Sequence, residues 1–165
     1  MSEKMKCGLE IHQRLDTKKL FCECYSDQNK PIAEKELRIT RKLRAASGEL
    51  GKTDEAALFE ASGEKTFEYT SGERTSCLVE MDEEPPHAVN KAALQVALQV
   101  AKALNAKIVN EIHMMRKTIV DGSVVSGFQR TALVGINGKL KIEGKTIGIS
   151  AICLEEESAR IMEKQ

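Results

Sequence analysis

The sequence predicts an α+β fold, an antiparallel sheet with helices packed on it, and three observations carry that prediction. Period-two alternation of apolar and polar residues recurs along the chain, at Cys7–Leu15, Lys65–Tyr69, Ile108–Val120 and from Phe128 to Leu154. Short turn signals, Ser71-Gly72, Asp121-Gly122, Asn137-Gly138 and Glu143-Gly144, separate neighbouring alternating stretches, so those strands reverse rather than cross over. Between them lies one clear amphipathic helix, Lys91 to Leu104, whose Leu94, Ala97, Leu98, Ala101 and Leu104 form an apolar stripe that must face a core.

Each element has its local reason. In Cys7-Gly8-Leu9-Glu10-Ile11-His12-Gln13-Arg14-Leu15, a strand would turn Cys7, Leu9 and Ile11 to one face and Glu10, His12 and Arg14 to the other. Residues 26 to 52 are polar and charged, a basic strand or short helix in which Lys35, Arg38, Arg41, Lys42, Arg44 and Lys52 form a solvated excursion or a phosphate-facing patch. Thr53 caps a short helix that ends at Gly63 and buries Leu58, Phe59 and Ala61. Lys65–Tyr69 and Thr75–Met81 read as a hairpin, and the prolines of Asp82-Glu83-Glu84-Pro85-Pro86-His87 then stop the strand. Asn90 caps the main helix. Past it, Ile108–Val120 is a strand with His113 on its surface. Residues 128–134, 139–142 and 146–154 form a three-stranded meander turning at Asn137-Gly138 and Glu143-Gly144. Glu155-Glu156-Glu157 opens a last helix, Ser158 to Lys164.

Composition narrows the function classes. With 25 basic and 25 acidic residues the 165-residue chain is neutral, which argues against wholesale non-specific nucleic-acid binding. It lacks a membrane-length apolar run and a signal-peptide core, so a cytoplasmic protein is expected. The five cysteines then read as reduced thiols or metal ligands, with Cys7 and Cys153 as small buried hydrophobes.

Three features could carry chemistry. Glu10 and His12 share a strand face, roughly 7 Å apart at Cα, close enough to converge on one cation or to form an ordinary solvated face. The acidic run after Leu154 could supply further carboxylates, and an oxygen-rich set with one nitrogen suits Mg²⁺ or Mn²⁺ handling phosphates. Alternation allows only one of Glu155 and Glu156 to face a given site. Cys22, Cys24 and Cys77 form the third set.

In order, the blocks Gly8–His12, Lys19–Cys24, Cys77–His87, Met115–Thr118, Asp121–Ser123, Ser126–Thr131 and Cys153–Glu157 resemble the tRNA-dependent amidotransferase subunits that activate Glu-tRNA(Gln), the B/E family. The resemblance covers essentially the whole chain. The Asp82-to-His87 run and Gly127-Phe128-Gln129-Arg130-Thr131 make it most like the archaeal E type.

That resemblance implies that residues 1–165 are the N-terminal part of the catalytic cradle domain, reminiscent of glutamine synthetase, with the cradle remainder and the helical and tail domains lying outside it. It implies an ATP- and Mg²⁺-dependent ligase that phosphorylates the γ-carboxylate of tRNA-bound glutamate and amidates it, the isolated fragment being inactive. Carried over, Glu10, His12 and Glu156 match the family's metal positions with Glu155 as their neighbour, and Arg116, Lys117, Gln129 and Arg130 border the nucleotide or acyl end. The acids Asp82 to Glu84 read as a solvated linker or, from their position in the motif, as help in lining the same cavity. Implied partners are an archaeal D-type amidase or asparaginase that produces ammonia, Glu-tRNA(Gln), and a second copy in a homodimer; no membrane is implied. The family's zinc site is left one thiolate short, because Cys22, Cys24 and Cys77 are present but Arg74 stands where a fourth thiol would be. The competing reading is a non-catalytic module whose Lys35-to-Lys52 patch binds RNA or a partner subunit.

Overall fold

The computed structural model describes residues 7–26, 36–48, 50–72, 74–160 and 162. Along these residues the elements are β1 (Glu36–Lys42), α1 (Glu55–Ser62), β2 (Thr66–Gly72), α2 (Lys91–Ala103), β3 (Lys107–Ile108), β4 (Met114–Thr118), β5 (Phe128–Ile142) and β6 (Lys145–Glu155). All pairings are antiparallel, in a two-stranded ribbon, β1–β2, and a four-stranded sheet around β5. Because β6 follows one edge of β5 from Thr131↔Glu155 to Ile142↔Lys145, β4 and β3 lie in turn along the other.

Helix α2 covers one face of this sheet. Its cap is as the sequence predicts: the Asn90 side chain accepts from the amides of Ala92 and Ala93, while its Nδ2 donates to the carbonyls of Lys18 and Lys19. The helix thereby also anchors the 18–24 loop. Ala93, Ala97 and Ala101, four apart, are buried, and at Gly135 an added Cβ would lie 3.3 Å from the Ala101 Cβ. Small residues on both sides let helix and sheet approach closely, sealing Leu20, Phe21, Val79, Val134 and Leu154 into an aliphatic core.

Where the structure departs from the sequence reading, long-range partners decide. The predicted meander is one long hairpin: β5 runs unbroken through Asn137-Gly138 and reverses only at Glu143-Gly144, where both residues have positive φ (49° and 77°). A type I′ turn, the one that Asn-Gly favours, needs positive φ at both central positions. At 137–138 only Asn137 (φ 55°) adopts it, and β5 stays paired with β6 on both sides of it, Ile136↔Ala151 and Gly138↔Ile149. The hairpin expected between 65–69 and 75–81 is not formed either. Strand β2 pairs back with β1 in the register Glu36↔Gly72 to Lys42↔Thr66, and 75–84 coils through turn bonds from the Met81 amide to the Cys77 carbonyl and from Glu83 to Leu78. Phe67 packs over Gly122, whose Cβ would fall 2.1 Å from its ring, and the Tyr69 hydroxyl donates to the Gly122 carbonyl at 2.7 Å. These contacts seat the β1–β2 ribbon on the 121–123 loop.

Smaller corrections follow the same logic. Asp54, not Thr53, caps α1, and the helix buries Ala57 while Leu58 and Phe59 face solvent. The 108–120 strand is split into β3 and β4. Residues 7–15 pair with no strand among the described residues, and Leu9 and Ile11 are 91% and 85% exposed. Cys7 and Cys153 are exposed, not buried. Residues 158–160 are not helical, and Ile161 and 163–165 of the expected last helix lie outside the described residues, as does Lys35. No helix among the described residues is long and apolar enough to cross a membrane.

Candidate active site

Strand alternation sorts the sequence-predicted site residues onto two faces. In the β4–β5 register Lys117 faces Gln129 and Met115 faces Thr131, while Arg116 lies opposite Arg130 and Met114 opposite Ala132. Ala132 is fully buried and Met114 packs on the core, so the arginines start from the core side and Lys117 from the other. Glu155, the partner of Thr131 at the end of β6, belongs with Lys117.

On that second face the N-terminal segment meets the sheet through side chains alone. The Arg14 Nε lies 2.8 Å from Glu157 Oε1, and His12 Nδ1 lies 3.9 Å from Glu155 Oε2. His12 Nε2 is 3.4 Å from Glu10 Oε1. Lys117 Nζ stands between the carboxylates, 3.4 Å from Glu155 Oε1 and 3.9 Å from Glu10 Oε1. The Thr131 hydroxyl donates to Glu155 Oε1 at 3.2 Å. Glu10 and His12 therefore come together with Glu155 without the strand pairing expected for residues 7–15: alternating His12 and Arg14 meet alternating Glu155 and Glu157 through these side-chain contacts. Cys153, one alternation back along β6, feels the charges of Glu155, Lys117 and Glu10, although partial desolvation of its thiol by neighbouring atoms is what chiefly raises its pKa.

Glu156 points the other way. Its carboxylate accepts from the Arg130 amide at 2.7 Å and from Arg130 Nη1 at 2.8 Å, while the Gln129 side chain donates to its carbonyl at 2.6 Å. Burial raises its carboxyl above the usual range, outweighing the Arg130 bonds that pull it down. The Arg130 guanidinium also lies over the rings of Phe21 and Phe128, and Arg116 sits 4.8 Å from the Phe128 centroid. Both arginines are thus backed by the Phe128 ring, and Glu156 holds Arg130.

The thiols form a separate cluster. Cys22, Cys24 and Cys77 bring their sulfurs within 4.8 Å of one another and could hold a metal; among the described residues no other set of ligand atoms is gathered so closely. The Cys22 thiol faces Glu80 Oε1 at 3.5 Å, and the other oxygen of Glu80 is paired with Lys19. Burial raises both Cys22 and Cys24, the latter to about 11, so without a metal these are neutral thiols. Arg74 lies over Tyr25 beside them, and Glu84 and His87, 3.0 Å apart, line the cavity above. Glu84 is thus placed with the thiols and not, as the sequence suggests, with Glu10; for His87 the sequence offers no role.

The remaining candidates fall elsewhere. Asp82 and Glu83 do not line the Glu10 site: they pair with Arg44 and Arg41 of the ribbon. Within the basic stretch Arg38 pairs with Glu68 and Lys42 with Glu64, so its described arginines and Lys42 are neutralised locally. His113 is a surface residue beside Glu111.

Comparison with known proteins places the chain as a whole. The family described as the GatB/GatE catalytic domain matches residues 5–165. The E subunit of the glutamyl-tRNA(Gln) amidotransferase of Archaeoglobus fulgidus is 48% identical over 160 residues, covering 96% of this chain and 26% of the relative. The corresponding protein of Aeropyrum pernix is 48% identical over 157 residues (94% and 24%), and that of Saccharolobus islandicus 50% over 162 residues (98% and 25%). The chain thus spans about a quarter of the length of the curated relatives it matches. With the family's matched region running to nearly every residue, this chain belongs to the GatB/GatE catalytic domain family.

Proposed function

We propose that this chain is the N-terminal part of the catalytic cradle, glutamine synthetase-like in architecture, of an archaeal-type Glu-tRNA(Gln) amidotransferase of the E type. The observation that carries the reading is the meeting of Glu10, His12, Glu155 and Lys117 on one sheet face from three distant parts of the chain. In the proposed reaction a γ-carboxylate oxygen of tRNA-bound glutamate attacks the γ-phosphorus of ATP and ADP leaves. Ammonia from a D-type amidase or asparaginase partner then attacks the acyl carbon, the C–N bond forms and phosphate departs. Carboxylate is a poor acyl electrophile, and phosphorylation gives it a leaving group.

The donor set fits a hard divalent cation: two carboxylates and one imidazole, with an ammonium already between the carboxylates as a stand-in positive charge. Glu10, His12 and Glu155 would hold Mg²⁺, which when bound neutralises charge on the transferring phosphoryl group. Glu156 is assigned a different role, aiming Arg130, which with Arg116 presents cationic groups to a phosphate or acyl end; Gln129 secures the backbone of Glu156. For zinc the three thiols supply one donor fewer than a closed tetrahedral site needs, so zinc is given no part in the reaction. The RNA-binding alternative is disfavoured by the ion pairing of the described part of the basic stretch.

The test is ATP-dependent amidation by the full-length protein with its ammonia-producing partner. Glu10→Ala and Glu155→Ala should each abolish it while the far-ultraviolet circular dichroism stays unchanged. Full activity in both variants would sink the assignment.

A further inference from the structure

Resting on the metal site of the proposed function, we infer that Lys117 is a tethered counter-cation: it holds the Glu10 and Glu155 carboxylates while the site is free of metal and releases them when a divalent ion arrives. Among the described residues its ammonium is the one lysine or arginine group near both, at 3.9 and 3.4 Å. Neighbouring cations cannot substitute for it, because alternation sends Arg116 and Arg130 to the other face, where Phe128 and Glu156 hold them. Arg14 is taken by Glu157.

The charge balance favours exchange. One ammonium against two carboxylates leaves the cluster net negative, so it prevents close repulsion yet still attracts a cation of higher charge. Glu155 is fixed independently by Thr131, on the same oxygen that Lys117 approaches, and its Oε2 stays turned to His12. Losing Lys117 therefore does not free Glu155 from the sheet. The Lys117 side chain is 45% exposed, on a flexible four-carbon stem, so it can swing aside without opening the core. The carboxylates are also spread wider than the thiols, whose sulfurs alone meet the closest ligand spacing among the described residues. Once displaced, Lys117 is left beside the cation with its charge unpaired, where the phosphate groups of a nucleotide would be its next partner.

The experiment is a Mn²⁺ titration of this chain followed by electron paramagnetic resonance at low ionic strength, with Lys117→Met, Lys117→Arg, Glu155→Gln and the Lys117→Met/Glu155→Gln double variant. Lys117→Met removes a competitor and should tighten Mn²⁺ binding about three- to tenfold. Lys117→Arg keeps the charge and should bind Mn²⁺ as the unaltered chain does. The double variant should lose the gain. If Lys117 merely props the site open, Lys117→Met leaves Mn²⁺ affinity unchanged or weaker, which overturns the inference but spares the metal site as long as Glu155→Gln still weakens binding. Absence of Mn²⁺ binding in every variant, or a gain that survives Glu155→Gln, overturns the inference and the Glu155-containing metal site together.

Discussion

The carboxylate cluster at the end of β6 and the thiol cluster beside α2 both gather potential ligands, yet they are prepared in opposite ways. The first is charged and open: the Glu10 side chain is 75% exposed, Glu155 is 17% exposed, and a lysine already supplies a positive charge. The second is closely spaced and largely withdrawn from solvent, with Cys24 raised to about 11 by desolvation. On the proposed reading a hard cation would enter the first by displacing an ammonium and would keep part of its water. A soft one enters the second by displacing protons, so its uptake must depend steeply on pH. Burial is what separates them, since it raises the Cys22 and Cys24 thiols in one place while Glu10 stands open to solvent in the other.

The largest effect that would break this comparison is at the carboxylates. Glu155→Ala should weaken Mn²⁺ binding by about 100-fold or more, while Cys24→Ser should leave it untouched, as the same titration reads. The converse is expected with Co²⁺: thiolate-to-metal absorption should appear with this chain and vanish in Cys24→Ser. Because the thiols are raised, Co²⁺ uptake should fall as pH drops from about 8 to about 6, far more steeply than Mn²⁺ uptake. Equal pH dependence of the two ions would erase the distinction.

Next in size is the adjacent carboxylate. Glu156→Ala strands the half-buried Arg130 and should cost about 3 kcal/mol in urea denaturation, whereas Glu156→Gln keeps an acceptor for the Arg130 amide and should cost about 1 kcal/mol. The sign with pH follows from a carboxyl raised above its ordinary 4.5. The folded chain holds that proton more tightly than the unfolded one. Its contribution is therefore full below 4.5 and is lost as pH rises through the raised value, so the unaltered chain should lose stability relative to Glu156→Gln over that window. The smallest effect belongs to the ribbon: Lys42→Ala breaks an exposed pair with Glu64 and should change stability by less than about 1 kcal/mol.

Much of the site was legible because its signals are local. The helix cap at Asn90, the apolar stripe of α2 and the rule that Glu155 and Glu156 cannot share a face all follow from a few consecutive residues. The family blocks added Glu10, His12 and the acidic run as one set. Cys153 was misread because an apolar run on an edge strand looks, residue by residue, like a buried one. Thr131 and Lys117 needed the β4–β5–β6 register before their positions beside Glu155 could be seen.

By itself, then, the sequence determined the α+β class, the principal helix and the alternation of the strands, and it nominated the residues on which the proposed cation site rests. Only the tertiary structure decided that Glu155 and not Glu156 meets His12, that β5 passes through Asn137-Gly138, and that residues 7–15 reach the site as a side-chain-tethered segment. The physical reason is range. Periodicity and capping are set by neighbours a few residues away, whereas facing, register and charge pairing are set by partners far along the chain, as His12 and Glu155 are.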